Sequence, residues 1–132
     1  MDNTEPKQPL ILVVDDSVQT AMFEKTVMVV MGKFRAEMAT SGTKALELAR
    51  TLHPDLILMD SMMPSPNGWE CCKLLKQDPE TRHIPILMCG TMRNKEYRTQ
   101  SLEAGALDYL LLPMMATDLL DRVRQVLASA QS

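Results

Sequence analysis

Leu10-Ile11-Leu12-Val13-Val14, followed by Asp15-Asp16, and Leu56-Ile57-Leu58-Met59, followed by Asp60, are the two stretches on which the reading of this 132-residue chain turns. Each is a continuously apolar run of strand length, the pattern of a strand buried on both faces by helices. Ile84-Pro85-Ile86-Leu87-Met88-Cys89 repeats it. Residues 34–39 alternate more, as an edge strand does, and 107–111 complete a set of five.

Helix-length segments separate these runs. Residues 17–31 open with Asp16 or Ser17 as N-cap and stop at Gly32. Ala45, Leu48, Ala49 and Leu52 form a stripe ended by Pro54, and Trp69, Cys72 and Leu75 form another ended by Pro79. Residues 93–104, closed by Gly105, have sparse apolar positions. Met115, Leu119, Val123, Val126, Leu127 and Ala130 recur at three- and four-residue spacing, which makes a well-defined amphipathic last helix. Five strand-helix pairs without a repeat or linker predict an α/β fold, a doubly wound five-stranded parallel sheet with right-handed crossovers. The expected organisation is an irregular N-terminal tail over 1–8 and one domain over 9–130, with no output domain.

Composition narrows the function classes. Fourteen Lys and Arg against seventeen Asp and Glu give a formal charge of -3, so no basic field exists for nucleic acid or an anionic membrane. No apolar run approaches the roughly 20 residues of a membrane span, and the polar start has no signal-like apolar stretch. Cys71, Cys72 and Cys89 show neither metal-like spacing nor an even set of pairs, which fits buried thiols in a reducing, cytoplasmic setting. Twelve Met against five aromatic residues is an unusual core recipe, because methionine packs adaptably but specifies shape weakly. His53 and His83 stand apart near turns and read as surface residues, not as a catalytic pair.

In a doubly wound sheet the ligand site lies outside the carboxyl ends of the strands, where the strand order reverses. Asp15 and Asp16 follow the first strand and Asp60 the third, so with strand order 2-1-3-4-5 the three carboxylates converge. A single Asp at a strand end usually caps a turn. Three together repel each other and call for a proton or a cation, and an all-oxygen set suits a hard ion such as Mg2+.

The stretch from residue 10 to 128 resembles the receiver domain of bacterial response regulators, with the flavodoxin-like (βα)5 fold of the small chemotaxis regulators. The matching pieces are Val13-Val14-Asp15-Asp16-Ser17, Pro54-Asp55-Leu56-Ile57-Leu58-Met59-Asp60, Met63-Pro64 with Asn67-Gly68, His83-Ile84-Pro85-Ile86, and Gly105-Ala106-Leu107-Asp108-Tyr109-Leu110 before Pro113. The resemblance implies that Asp60 is a phosphoacceptor and that Asp15, Asp16, Asp60 and the Met62 carbonyl hold Mg2+ or Mn2+. Tyr109 matches the family's switch aromatic, and the Leu112-Pro113 bond corresponds to a cis bond. The implied activity is that of a phosphorelay component in two-component signalling. It is not an enzyme in the ordinary sense, although it promotes its own phosphorylation from small donors and its own dephosphorylation. Its partners are a histidine kinase or phosphotransfer protein and a downstream protein target, with the chain a monomer or weak dimer.

Two positions depart from that pattern. The family places a Lys before the proline that follows strand five, where this chain has Leu112, which loses a charge and a donor. The family also places a Ser or Thr hydroxyl at the end of strand four, where this chain has Gly90. Thr91 is adjacent, but successive strand residues face opposite ways, so it substitutes only if the backbone bulges. The alternative function is a phosphorylation-independent protein-interaction module. Met62, Met63, Met92, Met114 and Met115 gather in the same loops, as packing or as an adaptable docking rim.

Overall fold

The computed structural model describes residues 7–131, and within that span the five expected strands pair in the order β2-β1-β3-β4-β5, all parallel. The strands are β1 (Leu10–Val14), β2 (Arg35–Ala39), β3 (Leu56–Asp60), β4 (Ile86–Gly90) and β5 (Asp108–Leu111). The helices are α1 (Val18–Thr26), α2 (Gly42–Leu52), α3 (Gly68–Gln77), α4 (Lys95–Ala104) and α5 (Ala116–Gln131). Most of the expected tail, 1–8, lies outside the described residues.

Strand alternation divides the core into two layers. Leu12, Val14, Ile57, Met59, Ile86, Met88 and Tyr109 face α2, α3 and α4, where they meet Ala45, Ala49, Cys71, Cys72, Leu75 and Ala104. Ile11, Val13, Leu56, Leu58, Leu87, Cys89 and Leu110 face the other way, against Ala21 and Met28 and the α5 stripe of Leu119, Leu120 and Val123. The continuously apolar runs are thereby explained, because both faces of the central strands are dry. By contrast Arg35 and Glu37 of the edge strand β2 are exposed.

Local chemistry fixes the helix ends. Ser17 and Ser41 accept bonds from the backbone N–H groups of Thr20 and Lys44. Asn67 and Glu70 form a reciprocal capping box at the start of α3. Gly105 ends α4 at φ 112, a left-handed conformation that favours glycine. The helix expected over 17–31 is not uniform. It widens into a π-helical turn at Val27–Met31, closed by Gly32 N–H donating to the Val27 carbonyl. Val27, Val29 and Val30 are β-branched residues of reduced helix propensity, which periodicity alone does not register. The apolar-poor α4 is held instead by aromatic stacking. Tyr97 packs between Trp69 and Tyr109 at centroid distances of 5.2 and 6.4 Å, and Trp69 Nε1 donates to Ser101 Oγ at 3.0 Å.

The loop after β3 is tightly seated. A Cβ at Gly68 would lie 2.3 Å from the Asp60 carbonyl oxygen and 2.7 Å from Ser61 Cα, both backbone atoms. Gly68→Ala is therefore expected to cost about 1–3 kcal/mol of stability by overpacking, measured by urea unfolding. A variant as stable as the parent would show that the loop does not depend on this approach.

Candidate functional site

The same alternation that turns Leu56 and Leu58 toward α1 and α5 carries on to Asp60, and Asp15 continues Ile11 and Val13 in the same sense. Because β1 and β3 are neighbours, their ends bring Asp15, Asp16 and Asp60 together, with one carboxylate oxygen of each within 4.8 Å of the others. Asp15 is buried, Asp16 exposed and Asp60 half-buried. Two backbone groups fix the orientation: Ser17 N–H donates to Asp15 Oδ1 at 2.9 Å, and Met62 N–H donates to Asp60 Oδ1 at 3.1 Å. Burial raises the Asp60 carboxyl to about 7, opposed by the Met62 N–H and reinforced by Asp15 and Asp16. Burial raises Asp15 as well, with Asp16 adding to the effect. The ion pairs of the described residues lie elsewhere and involve Lys44, Arg50, Arg98 and Arg122. An all-oxygen set so close, with no cationic side chain paired to it, fits a hard divalent cation.

A fourth carboxylate belongs to this end of the sheet. Glu24 of α1 is 3% exposed, and its Oε1 has no hydrogen-bond partner. Burial, aided by Asp15 and Asp60, raises it to about 8. The sequence did carry a signal for it. Glu24 sits three residues after Ala21 and ahead of Val27 and Met28 on the buried stripe, a charged residue where the pattern asks for an apolar one.

On the other side, β4 stays in regular register through Gly90, which is aligned with Leu111, so no bulge turns Thr91 into the position of Gly90. Thr91 lies just past the strand, exposed, on the wall of a cavity shared with Glu24 and Leu112. The space above Gly90 is taken: a Cβ there would come 2.7 Å from both the Tyr109 hydroxyl and Ser61 Oγ. Tyr109 is 7% exposed, and its hydroxyl donates to the Met92 carbonyl at 3.0 Å and accepts from the Met92 N–H at 3.1 Å. Ser61 Oγ is buried beside it with no hydrogen bond of good geometry. Leu112 packs against the α1/α5 core, and the Leu112-Pro113 bond is cis. The methionines divide: Met63 is buried, Met92 and Met114 are half-buried, and Met62 and Met115 are exposed. All three cysteines are buried, and burial pushes the Cys71 and Cys72 thiols up to about 11, so they are poor nucleophiles at neutral pH. Among the described residues no helix is long and apolar enough to cross a membrane.

Comparison with known proteins agrees with this geometry. The sequence model of the response regulator receiver domain matches residues 11–124. The chain is similar to the response regulator PleD of Caulobacter vibrioides, 40% identical over 121 residues that make up 88% of this chain and 25% of that protein. It is 36% identical over 118 residues to protein PilH of Pseudomonas aeruginosa, covering 89% of this chain and 97% of PilH. Several other curated relatives are about twice its matched length: RpaA of Synechocystis is covered over 49% and SilR of Salmonella typhimurium over 50%. Among solved structures, the Francisella response regulator 1452 receiver domain superposes with TM-score 0.83 at 30% identity over 92% of this chain and 98% of that one. Chemotaxis response regulator CheY4 of Vibrio cholerae superposes with TM-score 0.84 at 28% identity over 91% and 99%.

Glu24 gives stability a pH dependence of definite sign. Between the ordinary glutamate value of 4.5 and about 8 the folded protein keeps a proton that the unfolded chain has lost, so stability falls as pH rises through that window. Glu24→Gln removes this contribution. The variant is expected to gain on the order of 3 kcal/mol over the parent between about pH 5 and pH 8 in urea unfolding. A stability difference that stays constant with pH would contradict a buried, proton-holding Glu24.

Proposed function

The chain belongs to the response regulator receiver domain family of two-component signalling, and on that footing we propose that Asp60 is its phosphoacceptor, served by a divalent cation held by Asp15, Asp16 and Asp60. The observation that carries this reading is the approach of the three carboxylates to within 4.8 Å at the reversal point of the sheet. The Met62 carbonyl is a further candidate ligand, since Met62 is held beside Asp60 by its own N–H.

In the transfer, an Asp60 carboxylate oxygen forms a bond to phosphorus while the bond from phosphorus to the donor breaks. The donor leaves as the neutral imidazole of a phosphohistidine whose other ring nitrogen carries a proton, on a histidine kinase or phosphotransfer protein, or as acetate from acetyl phosphate. Asp60 must be ionised to attack, and burial works against that. Mg2+ or Mn2+, when bound, supplies positive charge for the carboxylates and for the oxygens of the transferring group. The Met62 N–H holds one Asp60 oxygen at 3.1 Å, which leaves the other to act as nucleophile. The chain offers few additional donors: Leu112 has none, Gly90 has no side chain, and Thr91 faces the Glu24 cavity. The reaction therefore leans on the cation more than on side chains.

One observation favours a second reading, a phosphorylation-independent interaction module. Tyr109 is already turned inward, bonded twice to Met92, over a glycine with no hydroxyl to sense an added phosphoryl group. In either reading the output passes through a protein target, and the setting is cytoplasmic.

Intact mass after incubation with Mg2+ and acetyl phosphate separates the two. A phosphoryl adduct on the parent, lost in Asp60→Asn and with chelator, is the expected result. No adduct, or an adduct that survives Asp60→Asn, would overturn the assignment of Asp60.

A further inference from the structure

Between α1 and the start of α5 lies a cavity of about 300 Å3, walled by Phe23, Glu24, Thr91, Leu112, Pro113 and Met114 among others. Its lining is mostly apolar, and Glu24 is its single charged residue. A glutamate only 3% exposed, with a carboxyl oxygen that bonds nothing, is costly in any fold and is usually relieved by a partner. None comes from the described chain: the cavity wall holds no basic residue, and the neighbouring Asp15, Asp16 and Asp60 add negative charge.

We propose that this cavity receives a basic side chain from a protein partner, its hydrocarbon stem lying against Leu112, Pro113 and Met114 and its cationic head reaching Glu24. The chemistry selects the ligand. A bare metal ion would meet mostly carbon, whereas an alkylammonium or alkylguanidinium group matches an apolar wall that ends in a carboxyl group, which releases its proton to solvent as the cation enters and pairs with it. Phe23 adds an aromatic ring to the wall, which suits a cation further. A protein, in preference to a free amine, is indicated by the surroundings. Phe23 is 61% exposed, and Met115, next to the cavity residue Met114, is 69% exposed, so an approaching protein surface would cover apolar area that a small amine leaves wet. An inserted cation would also stand on the α1/α5 side of the sheet, the side to which Asp60 points, and would temper the charge of the acidic cluster. The site exists whether or not Asp60 is phosphorylated, and its test is independent of that reaction.

The test is a backbone amide NMR titration of the intact protein at millimolar Mg2+, so that the three aspartates are supplied with a cation. The probes are n-butylammonium and N-acetyl-lysine methylamide, with sodium chloride as the ionic-strength control. Expected are saturable shifts at Phe23, Glu24, Thr91, Leu112 and Met114 in the millimolar range, weakened about tenfold or more by Glu24→Gln. Leu112→Lys, which fills the cavity from within and offers its own cation, is expected to abolish them without removing Glu24. Shifts that follow ionic strength alone, or that ignore Glu24→Gln in a folded variant, would overturn the site. Spermidine binding far more tightly than the lysine probe would overturn the protein partner and make the cavity a site for a free polyamine.

Discussion

Negative charge gathered at one end of a dry sheet, with no basic side chain among the described residues paired against it, is the constraint on which the rest of this structure turns. Asp15, Asp16 and Asp60 lie within 4.8 Å of each other, and Glu24 is buried close enough to feel two of them. At an effective dielectric near 20, two full charges at such a separation repel by roughly 3–4 kcal/mol, a large fraction of a domain's net stability. The protein answers with two devices of its own. Backbone N–H groups of Ser17 and Met62 each support one carboxylate, and Glu24 holds its proton to about pH 8. Neither supplies a full positive charge.

The fold itself makes the gathering possible. A doubly wound sheet sends the chain from β1 to opposite sides on its way to β2 and β3, and the crevice so opened is lined by the residues just past β1 and β3. Alternation then decides which of those residues point to α1 and α5 and which to α2, α3 and α4. Asp60 follows Leu56 and Leu58 toward the first group, and Gly90 follows Ile86 and Met88 toward the second, where Tyr109 fills the space above it. The two halves of the pocket thus have different characters: one is acidic and partly exposed, and the other is sealed by an aromatic ring bonded to the Met92 backbone.

This division also explains what could be read from residue order. The strands, their sequence in the sheet and the aspartate trio were legible because short continuously apolar runs mark strands buried on both faces, two of them run straight into Asp, and a topological rule says where such ends meet. Glu24 was overlooked because its helix was read from its ends, the N-cap at Asp16 or Ser17 and the stop at Gly32, and not from the face its residues bury. The coupling of Gly90 to Tyr109 was not legible, since it needs the register of β4 against β5, which no local pattern states. The π-helical turn at Val27–Met31 was hidden because periodicity does not weigh β-branching, and the aromatic support of α4 by Trp69 and Tyr97 because it comes from rings that meet in space.

Leu112 and Glu24 give the pocket its individuality. One places hydrocarbon, and the other a proton-holding acid, on the face toward which the phosphoacceptor candidate points, and the proposed role of Asp60 makes cation supply the variable to test. The most direct test is calorimetric titration of the metal-free protein with Mg2+ near neutral pH, beside Asp15→Asn and Asp60→Asn. The account predicts saturable binding of one ion at up to millimolar concentration, lost or much weakened in both variants. Absence of binding by the parent, or binding that both variants retain, would contradict it.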